Sequence, residues 1–406
     1  MEQTTLPDIS TQARGLEELG SRVLVMAGVL MVIGGGGAIG MAVTSEGGLH
    51  RLAETYLVSF AYFLSLALGA LFFVLLQHLT RAGWSVVVRR LAEAMSVNVL
   101  LMAVLAIPVL LNMEHLYHWA HPGAADHDAI LAGKSAFLNP QFFTLRLVVY
   151  FAIWSVLAWY FFSNSKRQDA TGDPKHTRRM EGLSAPGMVV FALSLNFAAF
   201  DLLMSVNPHW FSTIFGVYFF AGSVVVVMAT LVVLAAYLPR QGRLQGVVTA
   251  EHYHDLGKLL FGFVVFWAYI AFSQYMLYWY GNIPEETVWY LTRQTGSWTG
   301  ISLALLFGHF VIPFLALVSR FPKRRPRLLV LAALWMLGAI AAFTAMAVAG
   351  REIQSEMNTF ELMMYRSVIG FAIILFVLRG RIFGPDVRPT SFVEHIRRNI
   401  IHFTAQ

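Results

Sequence analysis

Apolar runs of roughly twenty residues recur ten times along this chain, and the charged residues gather between them. A helix needs about 20 residues to cross the ~30 Å hydrocarbon core of a bilayer. The runs are therefore read as spans at 21–43, 55–79, 94–111, 141–163, 186–206, 212–238, 256–281, 297–318, 328–349 and 361–378. Lipid offers no partner for backbone N–H and C=O groups, so only helices and closed barrels cross it. Barrel strands alternate apolar and polar residues, whereas these runs are continuous. The pattern predicts an all-α integral membrane protein of ten transmembrane helices. With 57% hydrophobic and 13% charged residues, the chain lacks the polar surface to cover itself in water.

The formal net charge of +6 suggests a nucleic-acid partner until the charges are placed. If the N-terminus is cytoplasmic, 23 of the 29 Lys and Arg residues fall on the inner side. Only Arg51, Lys134, Arg146, Arg293, Arg351 and Arg366 fall on the outer side. That is the positive-inside bias, so basicity reports orientation in a multi-pass protein with both termini cytoplasmic. No nucleic acid is expected; the partner surface is lipid. The polar segment 1–20 followed by a full-length apolar run predicts a retained N-terminus. Cysteine is absent, which excludes disulfides, cysteine-ligated iron–sulfur clusters and covalently attached haem.

Connections are short, so no extramembrane domain is expected. The longest outer loop, 112–140, carries Glu114, Asp126, Asp128 and several histidines; the longest inner loop is 164–185. Arg81-Ala-Gly83 and Arg240-Gln-Gly242 follow the second and sixth spans, and Tyr117-His-Trp119 and Tyr278-Trp279 recur at nearly the same offset. This spacing predicts two four-helix bundles, 55–206 and 212–349. The segment 21–54 precedes them, and the tenth span with an amphipathic cytoplasmic tail, 361–406, follows. Sites in repeated bundles form between helices near the pseudo-axis.

A carboxylate at bilayer depth costs about 2.5 kcal/mol or more and faces protein or water. Asp201, in the outer half of the fifth span, reads as a proton carrier or as a helix-packing acid bonded through Ser205. Gln274 and Tyr278 are four residues apart and share a helix face, at a depth that suits a quinone headgroup or interhelical hydrogen bonds. Arg146 joins that outer group or snorkels to the surface, and Glu114 and His115 stand at its mouth. His309 is the one histidine near the membrane centre. Pro313, four residues on, has no N–H to offer its carbonyl, which suits a proton relay. Asn98, His78 and Asp255 would continue that relay inward, among Glu93, Gln77, His254 and Lys258. His115, His118 and His121 fan too widely to share a metal. With one deep histidine, a haem between helices lacks its second ligand. The Gly34–Gly37 run suits close helix packing.

The chain resembles the membrane subunits of the polysulfide reductase and nitrite reductase family. In particular it is similar to the ten-span quinone-binding subunit 2 (F subunit) family of bacterial alternative complex III. The resemblance rests on Tyr56-Leu-Val-Ser-Phe-Ala-Tyr-Phe-Leu64, Phe137-Leu-Asn-Pro-Gln-Phe-Phe-Thr-Leu-Arg146, Phe200-Asp-Leu-Leu-Met-Ser205 and Ser273-Gln-Tyr-Met-Leu-Tyr-Trp279. It implies a subunit without redox cofactors of its own, in the bacterial inner membrane. Its implied partners are a paralogous quinol-oxidising subunit, an iron–sulfur protein and c-type cytochromes. The chain would contribute a menaquinol or other quinol site, or a proton path, to a quinol:cytochrome c oxidoreductase. Where many relatives carry Gly-Arg-Pro after the third span, this chain reads Asn112-Met-Glu-His-Leu-Tyr117, which shifts the expectation toward coupling or proton conduction. The alternatives are a two-repeat secondary transporter and a purely structural anchor. A transporter predicts helix breaks at matching places in both halves, and Pro108 and Pro313 do not match.

Overall fold

The computed structural model describes residues 48–349 except 127 and 297, with isolated positions between 25 and 43. Every regular element among the described residues is helical. The main helices are α1 (Gly48–Leu79), α2 (Gly83–Leu111), α3 (Pro140–Thr171), α4 (Lys175–Leu202), α5 (Phe215–Tyr237), α6 (Ala250–Gly281), α7 (Pro284–Gln294), α8 (Trp298–Leu317) and α9 (Pro326–Ala349). Seven stretches are long and apolar enough to cross a bilayer, in α1 to α6 and α8. This is a multi-pass, all-α membrane protein. The expected spans 21–43 and 361–378, the segment 1–20 and the amphipathic tail lie outside the described residues, apart from those isolated positions.

Helices α1 and α5 form the inner pair. Helix α1 packs against α2, α4 and α5, while α5 also packs against α4, α6 and α9. Gly69 permits the crossing: a Cβ there would sit 2.3 Å from the Ser223 carbonyl oxygen of α5. Leu64, Leu68, Leu71, Phe73 and Leu75 of α1 are fully buried with Trp154 and Phe161 of α3. Outward faces carry Val148, Val156, Val189, Leu193 and Leu315, all exposed, as suits side chains that meet hydrocarbon.

The expected polar loop 164–185 is instead mostly helix. At 32 residues α3 is ~48 Å long, well beyond the hydrocarbon thickness. Lys, Arg, Gln and Met are good helix formers, so the helices continue into water until Gly172 stops α3 in the left-handed conformation (φ 67°). Arg90 pairs there with Asp169, and Arg81 with Glu181. Helix α2 is stepped near Val97 and Ala106; Pro108 has no N–H for the Val104 carbonyl.

The α6–α7 turn positions a cavity of about 890 Å³. Asn282 ends α6 with a positive φ of 46°, and Pro284 opens α7 with Glu285 and Glu286 in its first turn. Proline at the first turn and acids near the helix N-terminus favour initiation there. At 11 residues α7 is too short to cross. It lies against the end of α6, and its Trp289 stacks at 4.3 Å on Trp210 of the α4–α5 connection.

Candidate functional site

Two polar centres sit at the end expected to face outward. The first is an ion pair between α3 and α4. Arg146 Nε donates to Asp201 Oδ2 and Nη2 to Oδ1, both at 2.8 Å. Tyr150 donates to Oδ2 at 2.8 Å, and Arg146 Nη1 donates to the Phe137 carbonyl at 2.9 Å. The guanidinium lies 3.8 Å from the Phe137 ring centre and 4.4 Å from that of Phe142. Both charged side chains are buried. Arg146 therefore turns inward and does not snorkel. Ser205 bonds the Asp201 backbone carbonyl at 2.5 Å and leaves the carboxylate to Arg146 and Tyr150. Tyr117 and Trp119 close the centre by donating to the Leu202 and Ser205 carbonyls, each at 3.1 Å. Burial, and secondarily the Asp201 charge, pushes the Tyr117 hydroxyl well above its ordinary pKa.

The second centre is open. Helices α6, α7 and α8 enclose a cavity of about 890 Å³, within the size range of sites for drug-sized ligands. Most of its wall is apolar or aromatic, including Trp267, Phe272, Leu303, Leu306 and Phe310. The polar wall is Tyr218, Gln274, Tyr275, Tyr290, Arg293, Gln294, Thr299 and Ser302. Gln274 Nε2 donates to the Tyr290 hydroxyl at 3.0 Å, and its Oε1 accepts from Ser212 at 3.1 Å. Arg293 stacks 3.3 Å over Trp289 and donates Nη1 to the Trp289 carbonyl at 2.8 Å. Burial lowers the Arg293 pKa to about 10, against the opposing pull of Tyr290 and Tyr218, so it stays cationic at neutral pH. Burial also raises Tyr290 to about 12. No carboxylate among the described residues lies within ion-pair distance of Arg293. Tyr269 (64% exposed) and Phe272 (61%) edge the cavity on the side that faces lipid.

His309 stands next to this cavity in a smaller one of about 260 Å³, with Tyr62, Ser65 and Ser223. Tyr218, Trp267 and Leu305 line both. The Trp267 ring lies 4.4 Å from the imidazole, and His309 Nδ1 has no partner among the described residues. The backbone here is a π turn, Leu306–Val311. The Ile312 N–H reaches five residues back to Phe307, and the freed Gly308 carbonyl accepts from Trp335 Nε1 at 2.9 Å. Such single π turns cluster at functional positions.

The candidates read from sequence are thus scattered. Gln274 lines the large cavity and His309 its neighbour. Tyr278 bonds the Phe211 carbonyl and does not line the cavity. Glu114 and His115 are exposed. Toward the other end, His78 is buried beside the Phe161 ring at 5.4 Å. Asp255 pairs with Lys258 at 2.6 Å on a cavity of about 240 Å³ that also takes Gln77. Asn98 is exposed. No group of three metal-binding side chains occurs among the described residues. Sequence reasoning missed Tyr218, Trp289, Tyr290 and Arg293. Pro284, the acids after it and Arg293 in the last turn do signal a helix, on which Trp289, Tyr290 and Arg293 share a face.

The fold and this site define a multi-pass helical membrane protein with an amphiphile-sized cavity beside an interhelical histidine. No protein-family model matches the sequence, and no curated protein matches it.

Proposed function

We propose that this chain is a membrane subunit of a respiratory quinol:electron-acceptor oxidoreductase, similar to the quinone-binding subunits of alternative complex III, and that the α6–α7–α8 cavity receives a quinone-type amphiphile. The observation that carries this reading is the cavity itself: 890 Å³, largely apolar, edged by lipid-facing residues and ending in Gln274, Tyr290 and Arg293. A quinone needs those features, an apolar path for its tail and a few fixed polar groups for its ring. Tyr218 and the neighbouring cavity of His309, Ser65 and Ser223 would carry protons away from the ring. In this reading the chain has ten spans, two four-helix bundles and cytoplasmic termini in the bacterial inner membrane. It sits beside a quinol-oxidising paralogue, an iron–sulfur protein and c-type cytochromes.

Affinity purification of the full-length chain from its own membranes in mild detergent tests this. Haem and iron–sulfur absorbance should travel with it, along with extractable quinone. A colourless homo-oligomer free of quinone would overturn the assignment.

A further inference from the structure

We infer that the α6–α7–α8 cavity prefers the oxidised quinone to the quinol, with Arg293 and Tyr290 as the groups that set the preference. This rests on the reading of the cavity as a quinone site and adds which redox form it holds. Charged and phenolic donors dominate the polar wall. Arg293 has five N–H groups and no acceptor; one goes to the Trp289 carbonyl. The Tyr290 oxygen already accepts from Gln274 Nε2, so its own proton is free to donate into the cavity. The Tyr218 hydroxyl has no hydrogen-bond partner among the described residues and is a further donor.

Three carbonyl oxygens beside these donors are already occupied, which leaves the Gln294 side-chain oxygen and hydroxyl oxygens as the acceptors of this wall. Gln274 Oε1 takes the Ser212 proton. The two carbonyls at the end of α7 are also taken: Ser302 donates to Arg293 O and Thr299 to Gln294 O, both at 2.7 Å. No carboxylate among the described residues lines the wall. A quinone presents two carbonyl acceptors and no donor, so it matches this wall. A quinol presents two O–H donors that need acceptors; its hydroxyls would meet an unpaired guanidinium in a mostly apolar space. An uncompensated cation in such a space further favours electron-rich oxygen. The chemistry is that of an acceptor-only headgroup on an apolar tail.

The test uses the full-length chain with whatever subunits purify with it. A decyl-substituted benzoquinone and its quinol, kept reduced under argon, are titrated separately while tryptophan fluorescence is followed, because Trp267 and Trp289 line the cavity. The quinone should bind at least about tenfold tighter, the factor expected when a donor meets an acceptor and not another donor. Arg293→Gln should bring the ratio near unity mainly by weakening the quinone. Tyr290→Phe, which keeps the ring packing, should lower the ratio in part, and Arg293→Lys should retain part of it. Equal or tighter quinol binding would overturn the preference and leave the quinone site standing. Binding of neither form would remove the quinone site and the inference together. Displacement of the quinone by phosphatidylglycerol, dependent on Arg293, would assign the donors of this wall to a lipid phosphodiester and also overturn the inference.

Discussion

Asp201→Asn is expected to destabilise the protein by several kcal/mol. The Asp201 and Arg146 side chains are 1% and 9% exposed and joined by two 2.8 Å bonds. At an effective dielectric constant near 20, charges ~4 Å apart attract by about 4 kcal/mol. Removing one member leaves the other charge buried without compensation, a loss of about 3–5 kcal/mol. Asparagine keeps the shape, but its NH₂ faces the donors of Arg146 and Tyr150. The double variant Arg146→Met, Asp201→Leu removes both charges and should cost less than either single change, a non-additivity of about 3 kcal/mol or more. Reversible unfolding in mixed dodecylmaltoside and dodecyl sulfate micelles, followed by tryptophan fluorescence, compares the unchanged protein with Asp201→Asn, Arg146→Met, Asp201→Leu and the double variant. Losses below about 1 kcal/mol in the single variants, or strictly additive losses, would refute the argument that this pair is a dry structural clamp.

Two further predictions follow from the packing and the outer rim. Gly69→Ala should cost about 1–3 kcal/mol of overpacking, because the new Cβ meets the Ser223 carbonyl at 2.3 Å and the Val227 methyl at 3.2 Å; the thermal midpoint in detergent should fall, and an unchanged midpoint would mean that α1 and α5 cross less closely. Asp128 is held below its ordinary pKa, first by His209 at 2.5 Å and then by the Leu131 N–H. A depressed carboxylate pKa stabilises above the unfolded value, about 3.9, and the contribution is lost as pH falls through the folded value. Hydrogen exchange across the helix Ala129–Lys134, which Asp128 caps, should therefore rise more steeply below about pH 4 in the native protein than in Asp128→Asn.

Both sets of outcomes depend on contacts between residues far apart in the chain, and the sequence reading was weakest there. Gln274 and His309 could be singled out because a polar side chain within an apolar run is a local feature. Arg146 and Asp201 could also be singled out, but not as a pair: they lie 55 residues apart, and which helix faces which depends on crossings such as that at Gly69. Arg293 sits in a short segment between spans, where a cation is ordinary. Only the fold of α7 over the end of α6 makes it a half-buried one.

The chain's own order of residues determined its solvent and its helices, because a backbone in hydrocarbon must satisfy its hydrogen bonds within each helical segment and so leaves a local signature. Tertiary structure alone decided which buried polar groups are spent on each other and which face empty space. Asp201 is closed off by Arg146, while Arg293 has an open cavity in front of it. That difference is a matter of neighbouring helices, and no stretch of sequence contains it.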